Sequence, residues 1–204
     1  MKKSLLAAGL LALAASSASH AVTVTSIAGT GSYANDPATR LTDGNFALGT
    51  WWTDTPNVWW SWQEGASGVT FTFTFDQIYN LADITLGVDN NDFYAVQVST
   101  DNSTWKTLFV SLPTYVDSAY AYDGASMIQR SSVTGHPAYS NLIDFPTTQA
   151  RYARIYAVAG DGSYAVSELQ FTGTPAVPEP GTYALLALGL GAVGFAAARN
   201  RRAA

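Results

Sequence analysis

The chain has no cysteine and, between its two ends, very little positive charge. Without cysteine there is no disulfide framework, no thiolate metal ligand and no cysteine nucleophile. Of the ten Lys and Arg, Lys2 and Lys3 open the chain and Arg199, Arg201 and Arg202 close it; the interior holds only Arg40, Lys106, Arg130, Arg151 and Arg154. All fifteen carboxylates fall between Asp36 and Glu179. A nucleic-acid surface needs clustered Lys and Arg to neutralise phosphates, so nucleic acid is excluded as a partner, and the acidic balance suits divalent cations better. Histidine is scarce too. Past the N-terminal segment only His136 remains, so the paired histidines of a zinc site cannot form. No G-x-S-x-G elbow occurs, since Gly65-Ala66-Ser67-Gly68 runs into Val69. The acids are numerous enough for the paired carboxylates of glycoside hydrolysis. Those near the strands read instead as turn residues, because Asp and Asn cap turns with their own side chains. The chain reads as a binding protein rather than an enzyme.

Both ends are addresses. Lys2 and Lys3 precede an apolar run from Leu5 to Ala15, and Ser19-His20-Ala21 supplies small residues before Val22. This is the pattern of a secretion signal over residues 1–21, and its apolar run is too short to span a bilayer. The other end reads Val177-Pro178-Glu179-Pro180-Gly181-Thr182, then Tyr183 to Ala198 without a charge, then Arg199-Asn200-Arg201-Arg202. As a helix, 183–198 rises about 24 Å, a little short of a hydrocarbon core of about 30 Å, and terminal arginines can snorkel to cover the difference. Positive charge after the helix places this end in the cytoplasm and the preceding domain outside. The triplet Pro178-Glu179-Pro180, the apolar helix and the arginine cluster resemble the PEP-CTERM sorting signal. That resemblance implies processing of the tail by an exosortase, a transpeptidase-like membrane protease of bacteria that make extracellular polysaccharide. The protein would be membrane-anchored before processing and at the cell surface or in the matrix afterwards; a permanent tail anchor is the alternative. Gly189, Gly191 and Gly194 satisfy G-x-G-x-x-G, but with no strand before them they are small residues of the helix, not a dinucleotide site.

The middle, residues 22–175, has a period of two. Val69, Phe71, Phe73 and Phe75 alternate with Thr70, Thr72 and Thr74, which puts the aromatics on one buried face. Further strands are predicted at Ala82–Val88, Phe93–Ser99, Trp105–Phe109, Ala150–Val158 and Ala165–Thr172, separated by Asp89-Asn90-Asn91-Asp92, Asp101-Asn102-Ser103 and Gly160-Asp161-Gly162-Ser163. No amphipathic helix pattern interrupts them. Short strands with frequent turns predict an all-β sandwich or barrel, and Thr174 to Pro178 reads as the linker to the tail.

Leu41-Thr42-Asp43-Gly44-Asn45 with Thr50-Trp51, then Val96-Gln97-Val98-Ser99-Thr100-Asp101-Asn102-Ser103-Thr104-Trp105, then Ala150-Arg151-Tyr152-Ala153-Arg154-Ile155 and Val166-Ser167-Glu168-Leu169 resemble, in that order, the discoidin-like domains of the coagulation factor V/VIII type C, or galactose-binding-like, group. The resemblance implies an eight-stranded jelly-roll β-sandwich that binds carbohydrate or lipid headgroups through its end loops. It maps Asp43, Asn45, Thr50 and Glu168 onto a calcium site joining the first loop to the last strand. Asp43 to Thr50 is two residues longer than the family spacing. Without the metal, Asp43-Gly44-Asn45 is a tight turn and Glu168 pairs with an arginine. Asp89 and Asp92 are a weaker metal pair, lacking the Gly and distal Glu of an EF-hand loop.

Trp51, Trp52, Trp59, Trp60 and Trp62 fall within twelve residues. An indole offers a flat apolar face and a donor edge, suited to the C–H face of a sugar ring. In an extended 58–63 segment Trp59 and Trp60 face opposite ways. Trp51 and Trp105 match buried tryptophans of the family, which leaves Trp52 and Trp59 as exposed platforms, with Tyr120, Tyr122 and Arg130 in the least regular stretch as polar contacts. The expectation is an exported carbohydrate-binding module for extracellular polysaccharide. A structural matrix protein without a specific ligand and a hydrolase of the same matrix fit the same residues.

Overall fold

Three phenylalanines on one face of a strand can be hidden only under a second layer. The computed structural model describes residues 19–112, 127–176 and 185–194. In it Phe71, Phe73 and Phe75 are each fully buried, a contribution of about 1.5–3 kcal/mol per side chain. The covering layer comes partly from the same strand. Where the sequence predicts two strands, β4 runs unbroken over Thr70–Asp89. Its first half pairs with β2 (Val24–Thr30) and β8 (Thr148–Ala159), its second half with β9 (Ser163–Pro175) and β7 (Met127–Ser131).

The buried parity changes along β4. Phe71, Phe73, Phe75, Tyr79 and Leu81 are buried at odd positions, and Ile84, Leu86 and Val88 at even ones. Leu81 faces Gly173 and Asp83 faces Thr172, so Ala82 has no partner in β9. One bulged residue exchanges the faces and lets a single strand serve both sheets.

The first sheet is β2–β4–β8–β5–β6, with β5 at Phe93–Ser99 and β6 at Lys106–Ser111. The second carries β1 (His20–Ala21) and β3 (Val58–Ser61) on β9, followed by the second half of β4 and then β7. Every pairing between these strands is antiparallel. β5 matches the expected bounds; β6 starts one residue later than expected, because Trp105 leaves the ladder. Trp60 fills the space between the sheets, stacked on Tyr164 with centroids 5.5 Å apart and edge-on to Phe71 at 5.8 Å.

The ends are described only in part. Residues 1–18 and Pro178-Glu179-Pro180 lie outside the described residues. His20 and Ala21, assigned by sequence to the signal, pair with Gly173 and Thr172. The predicted helix 183–198 is described over 185–194. Among the described residues no helix is long and apolar enough to cross a membrane.

Candidate functional site

Strand register gathers four segments at one end of the sandwich. Asp89 pairs with Met127, and Phe93 with Ala159. Gly49 N donates to Met127 O at 2.9 Å, and Met127 N to Thr50 O at 3.0 Å. The β4–β5 turn, the β8–β9 turn, the start of β7 and the segment 47–52 therefore meet there.

Trp59 and Trp60 are neighbours on β3 and point to opposite faces. Trp60 enters the core, while Trp59 turns outward beside its β9 partner Ala165. Trp52 meets Trp59 edge to face at 5.1 Å, and the pair packs over Ala47, Met127 and Ala165. Both rings are half-buried, so the expected free platforms form instead a small outer core that fastens the segment 47–57 to the second sheet. The cause is a turn closed by a buried asparagine. Asn57 Nδ2 donates to Trp51 O at 2.9 Å and to Thr50 Oγ1 at 3.3 Å, while Trp51 N donates to Asp54 Oδ2 at 3.0 Å. Trp51, expected in the core, is the outward ring at 41 % exposure, near the exposed Leu48.

Two other expectations change. Trp105 is half-buried on the outside of the first sheet, with the Arg154 guanidinium carbon 4.2 Å from its ring centroid. Arg130 lies in β7 and is buried, its Nη2 donating to Leu112 O at 2.6 Å; burial lowers its pKa. Its strand position turns it into the fold instead of toward a ligand. Tyr120 and Tyr122 lie outside the described residues.

The proposed metal residues come together, but unequally. Leu169 N donates to Leu41 O at 2.9 Å and Ser167 Oγ to Phe46 O at 2.9 Å, which clamps the loop 41–50 onto β9. Gly87 makes this approach possible, since a Cβ there would land on Ser167 Oγ and lie 3.2 Å from Phe46 O. Glu168 is completely buried; its Oε2 accepts from Gly44 N at 3.2 Å and its Oε1 from Gln170 Nε2 at 2.9 Å. Burial pushes its pKa up to about 7; those two hydrogen bonds oppose the rise, and the Asp43 charge adds to it. No Lys or Arg pairs with Asp43 or Glu168 among the described residues, so the arginine partner expected without a metal does not form. A buried carboxylate near a second one, without a cation, is a donor set that a hard divalent ion fits. Asn45 Oδ1 accepts from Ala47 N at 3.0 Å. Thr50 Oγ1 donates to Ala47 O at 2.7 Å and accepts from Asn57, and its carbonyl accepts from Met127. Asp43 and Glu168 are the two carboxylates such an ion would meet, with Asp43 Oδ1 already accepting from Asn45 N at 2.8 Å, and Thr50 is engaged elsewhere.

A cavity of about 300 Å³ adjoins this loop, bounded by Ala21, Val22, Thr42, Thr85, Gln170 and Thr172 among others. The predicted signal cleavage removes Ala21 from its wall.

Sequence reasoning missed the gathering of Asp92 with Asp89 and Asp161 at the loop end. Asp92 is buried, with Tyr94 OH donating to Oδ2 at 3.1 Å and Asp161 N to Oδ1 at 3.3 Å. Burial, then the charges of Asp89 and Asp161, push its pKa up to about 9. Gly160 must be glycine, because a Cβ would fall on the Asp92 carboxylate. With both oxygens engaged, Asp92 ties the β4–β5 turn to the β8–β9 turn. Among the described residues no three of His, Asp and Glu group as metal ligands. His136 Nδ1 accepts from Ala138 N at 3.0 Å, a local turn contact, and no serine or carboxylate bonds to it among the described residues.

Comparison with known proteins identifies two parts of the chain. Residues 176–202 match the family model of the PEP-CTERM protein-sorting motif. The sandwich resembles a truncated AlyQ with CBM32 and alginate lyase domains: TM-score 0.52, 13 % identity, 78 % of this chain and 34 % of that one covered. The chain thus spans about a third of that protein. Also similar are a CBM32 module of a family 31 glycoside hydrolase from Clostridium perfringens (TM-score 0.45, 19 % identity, 76 % and 91 % covered) and the C-terminal domain of a chitobiase from Bacteroides fragilis (TM-score 0.45, 16 % identity, 76 % and 98 % covered). No curated protein matches the chain. The likeness to the AlyQ structure is one of fold, an antiparallel β-sandwich.

Proposed function

We propose that the chain is an exported, surface-sorted and non-catalytic glycan-binding module whose ligand lies at the loop end, against Trp51 and the Trp52–Trp59 pair. The outward Trp51 ring carries the reading. It is more exposed than Trp52, Trp59 and Trp60, and its backbone is held by Asp54 and Asn57. A flat indole on a rigid support suits a sugar ring and loses little freedom on binding. Asp54 and Asp161 are exposed near it, so this end favours neutral glycans over anionic ones. The tail supplies the address, with an exosortase as processing partner. The intact mass of the exported protein should lack the segment before Val22 and the helix after Pro180; Arg202 retained would make the tail a permanent anchor. A glycan array tests the binding. Saturable binding to neutral glycans is the expected result, silence assigns a structural matrix role, and release of reducing ends from a bound polymer would make the domain a hydrolase.

Calcium belongs to the same proposal, held by Asp43 and Glu168, where it supplies charge neutralisation and a cross-link between the loop 41–50 and β9. A ligand bound only by the native state stabilises it by about 2.7 kcal/mol at a hundredfold excess over Kd. Chelator should therefore lower the melting temperature, and Asp43→Ala should abolish the response. Identical melting curves in chelator and in excess calcium would remove the metal.

A further inference from the structure

The first sheet carries one carboxylate, Asp76, on β4 just past Phe75. Val24–Thr30, Thr70–Phe75, Phe93–Ser99, Lys106–Ser111 and Thr148–Ala159 contain no Asp or Glu, yet they hold Lys106, Arg151 and Arg154, three of the five interior cations. In a chain with fifteen carboxylates, this segregation gives the outer face of one sheet a sign opposite to that of the rest.

Aromatic rings share that face. Along β8, Ala153, Ile155 and Ala157 enter the core, so Tyr152, Arg154 and Tyr156 face out. Arg151 joins them, because Ala150 and Ala153 are both buried and the register against β4 shifts between them. Tyr152 and Tyr156 stand about 13 Å apart along the strand. Thr74 and Thr72 lie opposite Tyr152 and Arg154, with Ser26 and Ala28 beyond them on β2. These small side chains leave the β8 ridge standing proud. On its other flank Arg154 Nε donates to Gln97 Oε1 at 2.7 Å, and Gln97 Nε2 to Thr107 Oγ1 at 2.9 Å. The guanidinium is thereby held over Trp105, and its Nη groups have no protein partner among the described residues. The nearby carboxylates make local hydrogen bonds and, among the described residues, none pairs with Arg154. Asp76 accepts from Tyr79 OH at 2.8 Å, and Asp101 accepts from Ser103 N at 2.9 Å and Thr104 N at 2.8 Å.

We infer that the outer face of the first sheet is a second binding surface, separate from the loop end, for an extended acidic polysaccharide. Arg154 and Arg151 take its carboxylates, and Tyr152, Tyr156 and Trp105 lie against its sugar rings. A pre-oriented guanidinium with free donors matches a carboxylate in a bidentate pair. Two cations on this face are too few to neutralise a nucleic-acid duplex but suit a polymer with one charge per sugar. The surface stands whether or not the loop end binds sugar.

Sodium polygalacturonate and its highly methyl-esterified form share a backbone and differ in charge. Measured on the exported protein and on its Trp51→Ala variant, the acidic polymer should bind both, more weakly as salt rises. In the Trp51→Ala variant the esterified polymer should bind at least tenfold more weakly than the acidic one. Arg154→Gln should weaken polygalacturonate binding about tenfold, the scale of one charge-assisted pair. Thr72→Glu sets a carboxylate opposite Arg154 while leaving the contacts of the arginine in place. It should weaken binding at least as much, with an unchanged melting temperature. Equal binding of both polymers by the Trp51→Ala variant would overturn the inference, as would Arg154→Gln and Thr72→Glu proteins that bind like the wild type. Displacement by duplex DNA as effective as by polygalacturonate at equal charge would overturn the sugar assignment.

Discussion

Asp92→Asn should remove most of the loss of stability that the protein suffers between acid and alkaline pH. The Asp92 pKa is raised from its ordinary 3.8 to about 9, first by burial and then by Asp89 and Asp161. Between those values the native state keeps a proton that the unfolded chain has released, so the native state binds more protons and stability falls as pH rises. The slope is about 1.4 kcal/mol per pH unit, and the loss is complete above about pH 9. Asparagine cannot ionise, and its Oδ1 can still accept from Asp161 N. Melting temperatures at pH 5, 7 and 9 should fall steeply for the wild type and much less for the variant. Glu168, raised to about 7, adds a decline common to both proteins. Parallel profiles would mean that Asp92 is ionised in the fold at neutral pH. Because Asp92 joins two turns of the loop end, that end should loosen first in alkali.

The second large effect separates three adjacent indoles. Trp59→Ala should cost about 1.5–2.5 kcal/mol, roughly half the loss for a fully buried ring, since Trp59 is half-buried over Ala165 and Met127. Trp52→Ala should cost a similar amount. The double variant should cost less than the sum by about 0.5–1.5 kcal/mol, the worth of an edge-to-face pair. Trp51→Ala should leave stability within about 0.5 kcal/mol and weaken neutral-glycan binding about tenfold, or about 1.4 kcal/mol. Denaturant melts and binding isotherms on the four proteins decide the matter. A Trp51→Ala variant as unstable as Trp59→Ala would put that ring in the packing and leave the loop end without its exposed platform.

Some of this was determined by the sequence alone. The PEP-CTERM match at 176–202 is a linear string of proline, glutamate, apolar run and arginines, readable without any fold. β5 was legible because Phe93–Ser99 lies between two turn clusters whose Asp and Asn residues interrupt the ladder. The opposite facing of Trp59 and Trp60 followed from strand alternation, which is a property of the backbone.

Tertiary structure decided the rest, because it depends on which distant segments meet. β4 stays one strand through the change of apolar parity between Leu81 and Ile84 because Ala82 bulges out of the ladder with β9; the sequence shows the change of parity, but only the pairing shows that the strand continues through it. Trp51 faces out and Trp52 inward because Asn57 closes the turn between them and β3. Asp92 has a raised pKa because the fold buries it and sets Asp89 and the distant Asp161 beside it. The five carboxylate-free segments are scattered along the chain between other elements, and only their pairing into one sheet brings Arg151, Arg154 and Trp105 onto one face. Local pattern sets which way a side chain leaves its strand, whereas the partners it meets, and hence its burial, charge state and use, follow from long-range pairing.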